Sequence, residues 1–326
     1  MGFLFLLLFS LTFEEEKLIK FLEPLMVQTG GQIKLEKKAG GENFSIYFAR
    51  GEGEEKGREE FIPSAIYEGK NVITGVYFGL KSDSKPTPDY LSNFLTGVFA
   101  STIKVEKDQE LGKNLKSFKA YQETGYGKVQ MKLYILSDKH LFIGDIYNLN
   151  DKMDEVISKK IIWELGGKIG KGDSKDKIAF FLDLECPHCK KVEKEVFPLI
   201  KERNDIFAGF FLFPLSIHIL SFKGSAGGFC FKNVSDELFF DYINWFYEER
   251  ENIDLDNIDL KIYQFAKEKN IDKEFLNCYM KPENIKTVLS SLQMGIDLNV
   301  QGTPTIFYNG KKYPAKKIIE LLKNEK

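Results

Sequence analysis

The chain of 326 residues has few cysteines and histidines, four and three. Its 46 Lys and Arg nearly balance its 48 Asp and Glu, and the net charge of -2 gives no signal of nucleic-acid binding. The apolar run at 2–13 is too short to span a bilayer. With 43% hydrophobic residues, the chain is long enough to form two ordinary hydrophobic cores, which predicts about two domains.

The apolar run at 2–13 has the length of the apolar core of a signal peptide, and it ends at Glu14. No Lys or Arg precedes the run, and no small-x-small cleavage site follows it. Leu6 occupies the position where N-myristoylation requires Ser or Thr, which disfavours a lipid anchor. We therefore predict that 1–14 is a signal peptide or an apolar leader and that the protein is exported.

Cys186 and Cys189 form a C-x-x-C pair at a predicted strand-to-helix junction. The run 177–184 is apolar and aromatic enough to be a buried strand, and 190–197 favours a helix in which Pro187 suits the first turn. Cysteines three apart in a first turn share one face, so their sulfurs can form and break a disulfide with little backbone movement. The pair is predicted to be a dithiol/disulfide switch.

The position of Cys186 at the helix start favours its thiolate, because free backbone N–H groups and the helix dipole stabilise an anion there. We predict a pKa in the range of roughly 3.5 to 7.5 and assign Cys186 as the attacking thiolate. Cys189, one turn deeper, is the predicted resolving thiol. Pro187 and His188 are predicted to tune the redox pair, His188 through positive charge or a hydrogen bond to the Cys186 sulfur.

Three further side chains near the pair have open interpretations. Asp183 and Glu185 are candidates for moving protons during thiol exchange, and the alternative is that both are acids at the end of a strand. His218 is a candidate for the active face, and base rates favour a structural or surface histidine.

Other uses of a C-x-x-C pair are less well supported. A zinc site needs further ligands, and Cys230 and Cys278 are too far apart in sequence to form a second spaced pair. Haem attachment requires His directly after the second cysteine, where Lys190 stands, and is excluded. A purely structural disulfide within the pair would remove little chain entropy, because its ring is short. The zinc site and the structural disulfide remain alternatives.

A second motif lies far downstream, where Thr303 and Pro304 stand at the start of a predicted strand that ends in an Asn-Gly turn. Together with the C-x-x-C pair, this motif resembles the thioredoxin superfamily, in which a cis-proline loop faces the cysteines. The resemblance implies that Thr303 and Pro304 bind substrate, since a cis-proline leaves neighbouring backbone groups free to pair with an extended peptide. The alternative is an ordinary strand-opening proline.

Within that superfamily the chain resembles the DsbC and DsbG group of periplasmic disulfide isomerases. The similar segments are 182–185 before the first cysteine, the loop 302–304, the predicted hairpin 133–147, and the surroundings of Cys230 and Cys278. The resemblance implies that Cys230 and Cys278 form a structural disulfide; two buried free thiols are the alternative. It also implies the fold class, an α/β thioredoxin-like domain with a helical insertion, preceded by a smaller α+β, cystatin-like dimerisation domain.

The predicted domain organisation follows from this resemblance and from local patterns. Apolar residues recur every fourth position from Met153 to Leu165, which predicts a helical connector. Four parts are expected: a leader at 1–14, the dimerisation domain at 15–150, a helical linker at 151–176, and a catalytic domain at 177–326 with its helical insertion at about 221–298.

The resemblance implies a periplasmic thiol-disulfide oxidoreductase or isomerase that forms a homodimer and acts on unfolded or misoxidised proteins. It implies a membrane thiol-disulfide partner that exchanges electrons with the pair; the thiols themselves react, and no cofactor is expected. One feature departs from the group: a Pro-His dipeptide between the cysteines is typical of DsbA, a dedicated oxidant. A DsbA-like oxidant and a holdase chaperone that uses the inter-domain cleft are therefore the alternative functions.

Overall fold

The structure is a computed structural model and describes residues 11–27, 29–52, 59–81 and 85–324. Most of the predicted leader lies outside the described residues. Helix α1 begins directly after Leu11 and Thr12, because the Thr12 hydroxyl accepts from the Glu15 backbone N–H and the Glu15 carboxylate accepts from the Thr12 N–H. This capping box fixes the start of the first domain.

The first domain is an antiparallel sheet in which eight described strands run in the order β1-β2-β3-β4-β8-β7-β6-β5. Two similar units build it, each a helix followed by four strands. The first unit contains α1 (Phe13–Leu22), β1 (Lys34–Gly40), β2 (Phe44–Glu52), β3 (Glu59–Tyr67) and β4 (Asn71–Gly79). The second contains α2 (Pro88–Phe99), β5 (Ile103–Gly112), β6 (Leu115–Thr124), β7 (Gly127–Leu136) and β8 (His140–Asn148).

The two units join through their fourth strands. Gly75 of β4 lies opposite Gly144 of β8 in the antiparallel pairing. A Cβ on Gly75 would meet the Ile143 carbonyl oxygen at 2.0 Å, and a Cβ on Gly144 would meet the Thr74 carbonyl oxygen at 2.0 Å. Glycine at both positions therefore allows the two backbones to approach closely at the centre of the joined sheet.

The α+β character of this domain and the hairpin predicted at 133–147, which β7 and β8 form, were expected. Strands β5 and β6 were not predicted. In β5 five of the ten residues are charged and only Ile103 and Val105 are buried, so beyond Val105 the strand lacks the alternation of apolar and polar residues that indicates a half-buried strand.

The predicted linker at 151–176 contains a helix and the first strand of the second sheet. Helix α3 covers Met153–Lys160 and ends before Leu165, because Ile161 is extended and the Ile162 N–H donates to the Met294 sulfur instead of continuing the helix. Strand β9 (Gly167–Ile169) follows, and it is already part of the second sheet.

In the second domain the described strands form a sheet in the order β13-β12-β10-β11-β9. Strands β10 and β11 are parallel, and β12 is antiparallel to β10. The remaining strands are β10 (Asp176–Leu182), β11 (Ile206–Leu212), β12 (Thr305–Tyr308) and β13 (Lys311–Tyr313). The helices are α4 (Pro187–Lys201), α5 (Ser221–Val234), α6 (Asp236–Glu249), α7 (Ile258–Glu268), α8 (Asp272–Tyr279), α9 (Pro282–Asp297) and α10 (Ala315–Asn324).

A continuous apolar cluster joins the two domains. It includes Leu22 of α1 and Tyr47 of β2 from the first domain, Met153 of α3, and Phe181 and Phe211 from the second sheet. Because this core is shared, the first domain is held against the second.

Candidate active site

The cysteine pair lies where β10 passes into α4. Residues 178–182 of β10 are fully buried, and Cys186 is the N-cap residue of α4, with Pro187 at the first helical position. The Cys189 and Lys190 N–H groups donate to the Cys186 carbonyl at 3.0 and 3.2 Å, which closes the first turn. The strand, the proline and the helix therefore have the local arrangement that the sequence predicted.

The two thiols differ sharply in acidity. The pKa of Cys186 is lowered to about 5. The hydrogen bond with the Cys189 thiol lowers it most, and backbone N–H groups and the Thr303 hydroxyl lower it further, whereas burial has the opposite effect. Burial raises the pKa of Cys189 well above its usual value, and the neighbouring Cys186 thiolate adds to this. The pair thus has one sulfur that is ionised at neutral pH and one that remains protonated.

The loop before β12 faces the ionised sulfur. The Thr303–Pro304 peptide bond is cis, and the Thr303 carbonyl oxygen lies 3.3 Å from Cys186 Sγ. The Thr305 hydroxyl donates to the Gly302 carbonyl at 2.7 Å, which ties the loop to the start of β12. Residues 186 and 303, far apart in sequence, therefore form one surface.

The two acids before Cys186 hold the neighbouring backbone. Asp183 is fully buried, and its carboxylate accepts from the Glu185 N–H at 2.7 Å and from the Leu215 N–H at 2.6 Å. The Glu185 carboxylate accepts from the Leu220 and Ser221 N–H groups at 2.6 and 2.8 Å. These contacts fix the loop 213–221 beside the cysteines, and they favour the structural interpretation of both acids.

Three residues that support this arrangement carry no local sequence signal. The Arg250 guanidinium pairs with the Glu185 carboxylate across 65 positions of sequence. The Tyr247 hydroxyl donates to the Asp183 carbonyl at 3.2 Å, and the Lys190 ammonium donates to the Tyr247 carbonyl at 2.8 Å. Only the folded position of α6 against α4 brings these groups together.

The two histidines of the site take different positions. His188 is exposed on the first turn of α4, and its backbone N–H contributes to the low pKa of Cys186. The predicted tuning of the redox pair by the His188 side chain, through its charge or a hydrogen bond, stays a prediction. His218 lies in the loop after β11, with Nδ1 2.9 Å from the buried Asp183 carboxylate.

Cys230 of α5 and Cys278 of α8 form a disulfide in the structure, with an S–S distance of 1.99 Å. The bridge lies within the helical insertion, and Cys230 is buried. This is the pairing that the resemblance implied, and its structural role stays a prediction.

Outside the undescribed segments, no group of three His, Cys, Asp or Glu side chains is placed to hold a metal ion. Among the helices of the described chain, none is both long and apolar enough to cross a membrane.

Residues 166–324 match the model of a protein family described as Thioredoxin. This part of the chain has the expected thioredoxin-like fold, in which helices α5 to α9 are inserted between β11 and β12. None of the curated proteins matches the chain in sequence.

Several solved thiol-disulfide exchange proteins are similar to about half of the chain. The alpha-DsbA2 protein of Wolbachia pipientis is 19% identical, with a TM-score of 0.43 and coverage of 54% of this chain and 100% of that one. The catalytic domain of Proteus mirabilis ScsC is 16% identical, with a TM-score of 0.44 and coverage of 52% and 98%. MdbA, a thiol-disulfide oxidoreductase from Corynebacterium diphtheriae, is 17% identical, with a TM-score of 0.43 and coverage of 49% and 90%. Similarity at this level does not assign an activity.

Proposed function

We propose that the protein is a thiol-disulfide oxidoreductase that acts on disulfides of other proteins. One observation carries the proposal: the low pKa of Cys186, about 5, at a helix start beside the Thr303 carbonyl, next to a protonated, buried Cys189. A nucleophilic thiolate and a protected second thiol within one helical turn are what dithiol exchange requires.

In the proposed reaction the Cys186 thiolate attacks one sulfur of a substrate disulfide. A bond forms between Cys186 and that sulfur, the substrate disulfide breaks, and the other substrate sulfur leaves as a thiolate. If that thiolate attacks elsewhere in the substrate, and Cys186 is finally displaced, the disulfides are rearranged without net transfer of electrons. If Cys189 attacks Cys186 instead, the substrate is reduced by two electrons and the pair becomes a disulfide.

We propose isomerisation as the main activity because the domain organisation resembles the DsbC and DsbG group. Export to the periplasm, a membrane electron-transfer partner and dimerisation through the N-terminal domain belong to the same proposal. Refolding of a scrambled multi-disulfide protein tests it, since an isomerase restores native activity from fully oxidised, mispaired substrate. Sedimentation of the full chain tests the dimer.

Net oxidation is the second candidate, and the Pro-His dipeptide together with the low pKa of Cys186 favours it. A stabilised thiolate makes the reduced form more stable and the disulfide more oxidising. A redox titration against glutathione separates the two functions, since a dedicated oxidant has a higher reduction potential and oxidises reduced substrate without rearranging mispaired disulfides.

The thiol roles have their own test. Cys186→Ala should abolish exchange, whereas Cys189→Ala should accumulate a mixed disulfide with the substrate, because the resolving thiol is missing. Equal activity of wild type and Cys186→Ala would contradict the proposal. Suppression of aggregation that persists after both cysteines are replaced would support the holdase chaperone instead.

A further inference from the structure

The two units of the first domain have matching helices. The pattern Leu-x-x-Phe-Leu occurs at 18–22 in α1 and at 91–95 in α2, and both leucines of each copy are fully buried. The two copies therefore occupy equivalent positions in their units. Three residues beyond the pattern, the apolar pair 25–26 of the first unit corresponds to the apolar pair 98–99 of the second.

The equivalent pairs differ in their surroundings. Leu25 and Met26 are 8% and 2% exposed, and they belong to the same apolar cluster as Met153 of α3. Val98 and Phe99 are 44% and 38% exposed. The chain order gives the reason, since α3 follows the second unit and packs on the first, whereas the next helix of the described chain after β4 is α2 itself. Among the described residues, no helix therefore covers the second unit as α3 covers the first.

The uncovered surface is an ordered cluster of apolar side chains, the α2 patch, formed by Phe78, Tyr90, Phe94, Val98 and Phe99. The Phe78 ring lies edge-on to the rings of Phe94 and Phe99, with centroid distances of 5.7 and 6.4 Å. Tyr90 stacks on Phe94 at 6.3 Å. The patch is thus held in place by its own contacts, and an exposed apolar patch of this kind marks a contact with another protein.

A strand edge of the first domain is poorly suited to bind a second copy. The central strands β4 and β8 pair with each other. The outer strands are charged at four of seven positions in β1 and at five of ten in β5, and the register shifts in both. Charges and bulges on an edge strand prevent it from pairing with another sheet. If the first domain associates with a copy of itself, the contact therefore uses side chains.

Helix α2 suits a contact between side chains of two copies. One of its 12 residues is charged, whereas five of the ten residues of α1 are charged. In a contact about a two-fold axis a surface meets itself, so like charges would repel each other, and a helix with few charges avoids this cost. Tyr90, Phe94 and Val98, spaced by four, form a ridge of the kind that packs against the same ridge of another helix.

Resting on the proposed function, which includes a dimer, we propose that two copies of this chain associate through the α2 patch, helix against helix about a two-fold axis. The first unit shows what such a surface binds, since an apolar helix, α3, covers the equivalent residues there. In the dimer the α2 helix of the second copy takes that place. Association buries Val98 and Phe99.

Sedimentation of the full chain over a range of concentrations tests the surface. The wild type should dimerise, and Val98→Asp should raise the dissociation constant about 30-fold or more, the effect of changing a central interface residue. Leu260→Asp is the matched control, because Leu260 is a 57% exposed apolar residue of α7 in the catalytic domain; its dissociation constant should equal that of the wild type. Circular dichroism and the alkylation rate of Cys186 should be unchanged in both variants, since both positions are exposed.

A cross-link gives a second measurement that does not depend on weakening the contact. Gly97 lies beside the ridge, and a Cβ there would meet nothing within 4 Å. In a two-fold contact between α2 helices, the two copies of Gly97→Cys should approach each other and form a covalent dimer on oxidation. Gly125→Cys is the matched control, because Gly125 is exposed, has equally open space and lies outside the patch; it should stay monomeric. Both variants also carry Cys186→Ala and Cys189→Ala, so that only the introduced thiol reacts.

The outcomes separate this inference from the proposed function. Equal dimerisation of wild type and Val98→Asp, or the absence of a covalent dimer of Gly97→Cys, would overturn the inference and leave thiol exchange and a dimer through another surface standing. A monomeric wild type would overturn both the inference and the proposed dimer. Exchange by Cys186, measured with glutathione disulfide on the same wild-type sample, reports the proposed chemistry independently of either result.

Discussion

The contact between the two active-site thiols leads to a quantitative prediction. The Cys189 thiol is the largest of the influences that lower the pKa of Cys186 to about 5. A hydrogen bond to a charged group contributes about 1.5 to 3 kcal/mol, and one pKa unit corresponds to about 1.4 kcal/mol. Removing the Cys189 thiol should therefore raise the pKa of Cys186 by about one to two, to about 6 to 7.

Cys189→Ala is the perturbation, and alkylation by iodoacetamide as a function of pH is the assay. At pH 5 about half of Cys186 is ionised in the wild type, whereas a pKa of about 6 to 7 leaves only about 9% to 1% as thiolate. The alkylation rate at pH 5 should fall about five- to fifty-fold. At pH 8 both proteins are almost fully ionised, so their rates should agree within about twofold.

Cys189→Ser is the matched control, because its hydroxyl keeps a hydrogen-bond donor at the same place, and its midpoint should stay closer to that of the wild type. Cys186→Ala should show no labelling in this range, which assigns the signal to Cys186, since Cys230 and Cys278 are joined in a disulfide. An unchanged midpoint in Cys189→Ala would refute the reasoning, because it would mean that the contact between the thiols does not set the acidity.

Three further predictions concern stability. The folded-state pKa of Cys186 lies below the value of about 8.5 of an unfolded thiol, so ionisation stabilises the reduced protein fully above about pH 8.5, and this contribution is lost as the pH falls through about 5. The Tm advantage of the reduced wild type over Cys186→Ala, measured by calorimetry, should therefore be smaller at pH 4 than at pH 8.5; equal differences would contradict this. Replacing both Cys230 and Cys278 by Ala opens a loop with a sequence separation of 48 and should lower the free energy of unfolding in urea by up to about 4 kcal/mol, with unchanged alkylation of Cys186. Asp183→Asn replaces a carboxylate that accepts from two backbone N–H groups by an amide, and it should lower the free energy of unfolding by about 1 to 3 kcal/mol. The control Asp173→Asn, at an exposed position, should leave the free energy of unfolding almost unchanged in the same urea titration.

The part of the site that the sequence could predict is local. A buried apolar strand, two cysteines three apart, and a proline at the first helical position specify the junction of β10 and α4 within about 25 residues. The direction of the Cys186 pKa could be predicted as well, because free N–H groups at a helix start follow from the secondary structure alone. These features depend on neighbours in sequence.

The part that could not be predicted depends on distant contacts. Arg250 reaches Glu185 across 65 positions, and the Ile162 N–H donates to the Met294 sulfur across 132 positions. No periodicity or spacing encodes such pairs, because the arrangement of whole elements determines them. The same reason explains why the end of α3 was misplaced: the apolar repeat continues to Leu165, but Ile161 is buried in the core shared by the domains in an extended conformation.

The difference between the two thiols bears on the choice between isomerase and oxidant. Two causes raise the pKa of Cys189, burial and the negative charge of the Cys186 thiolate, and burial is the larger. When Cys186 forms a mixed disulfide, its charge is lost, but Cys189 is still buried. Cys189 is therefore slow to become a nucleophile, which gives the substrate's own thiolate time to attack and favours rearrangement. The same low pKa that makes Cys186 a ready nucleophile also makes it a good leaving group, which favours release of an oxidised substrate. The balance is set by how strongly burial suppresses Cys189, so the lifetime of the mixed disulfide in the wild type, compared with Cys189→Ala, measures it directly.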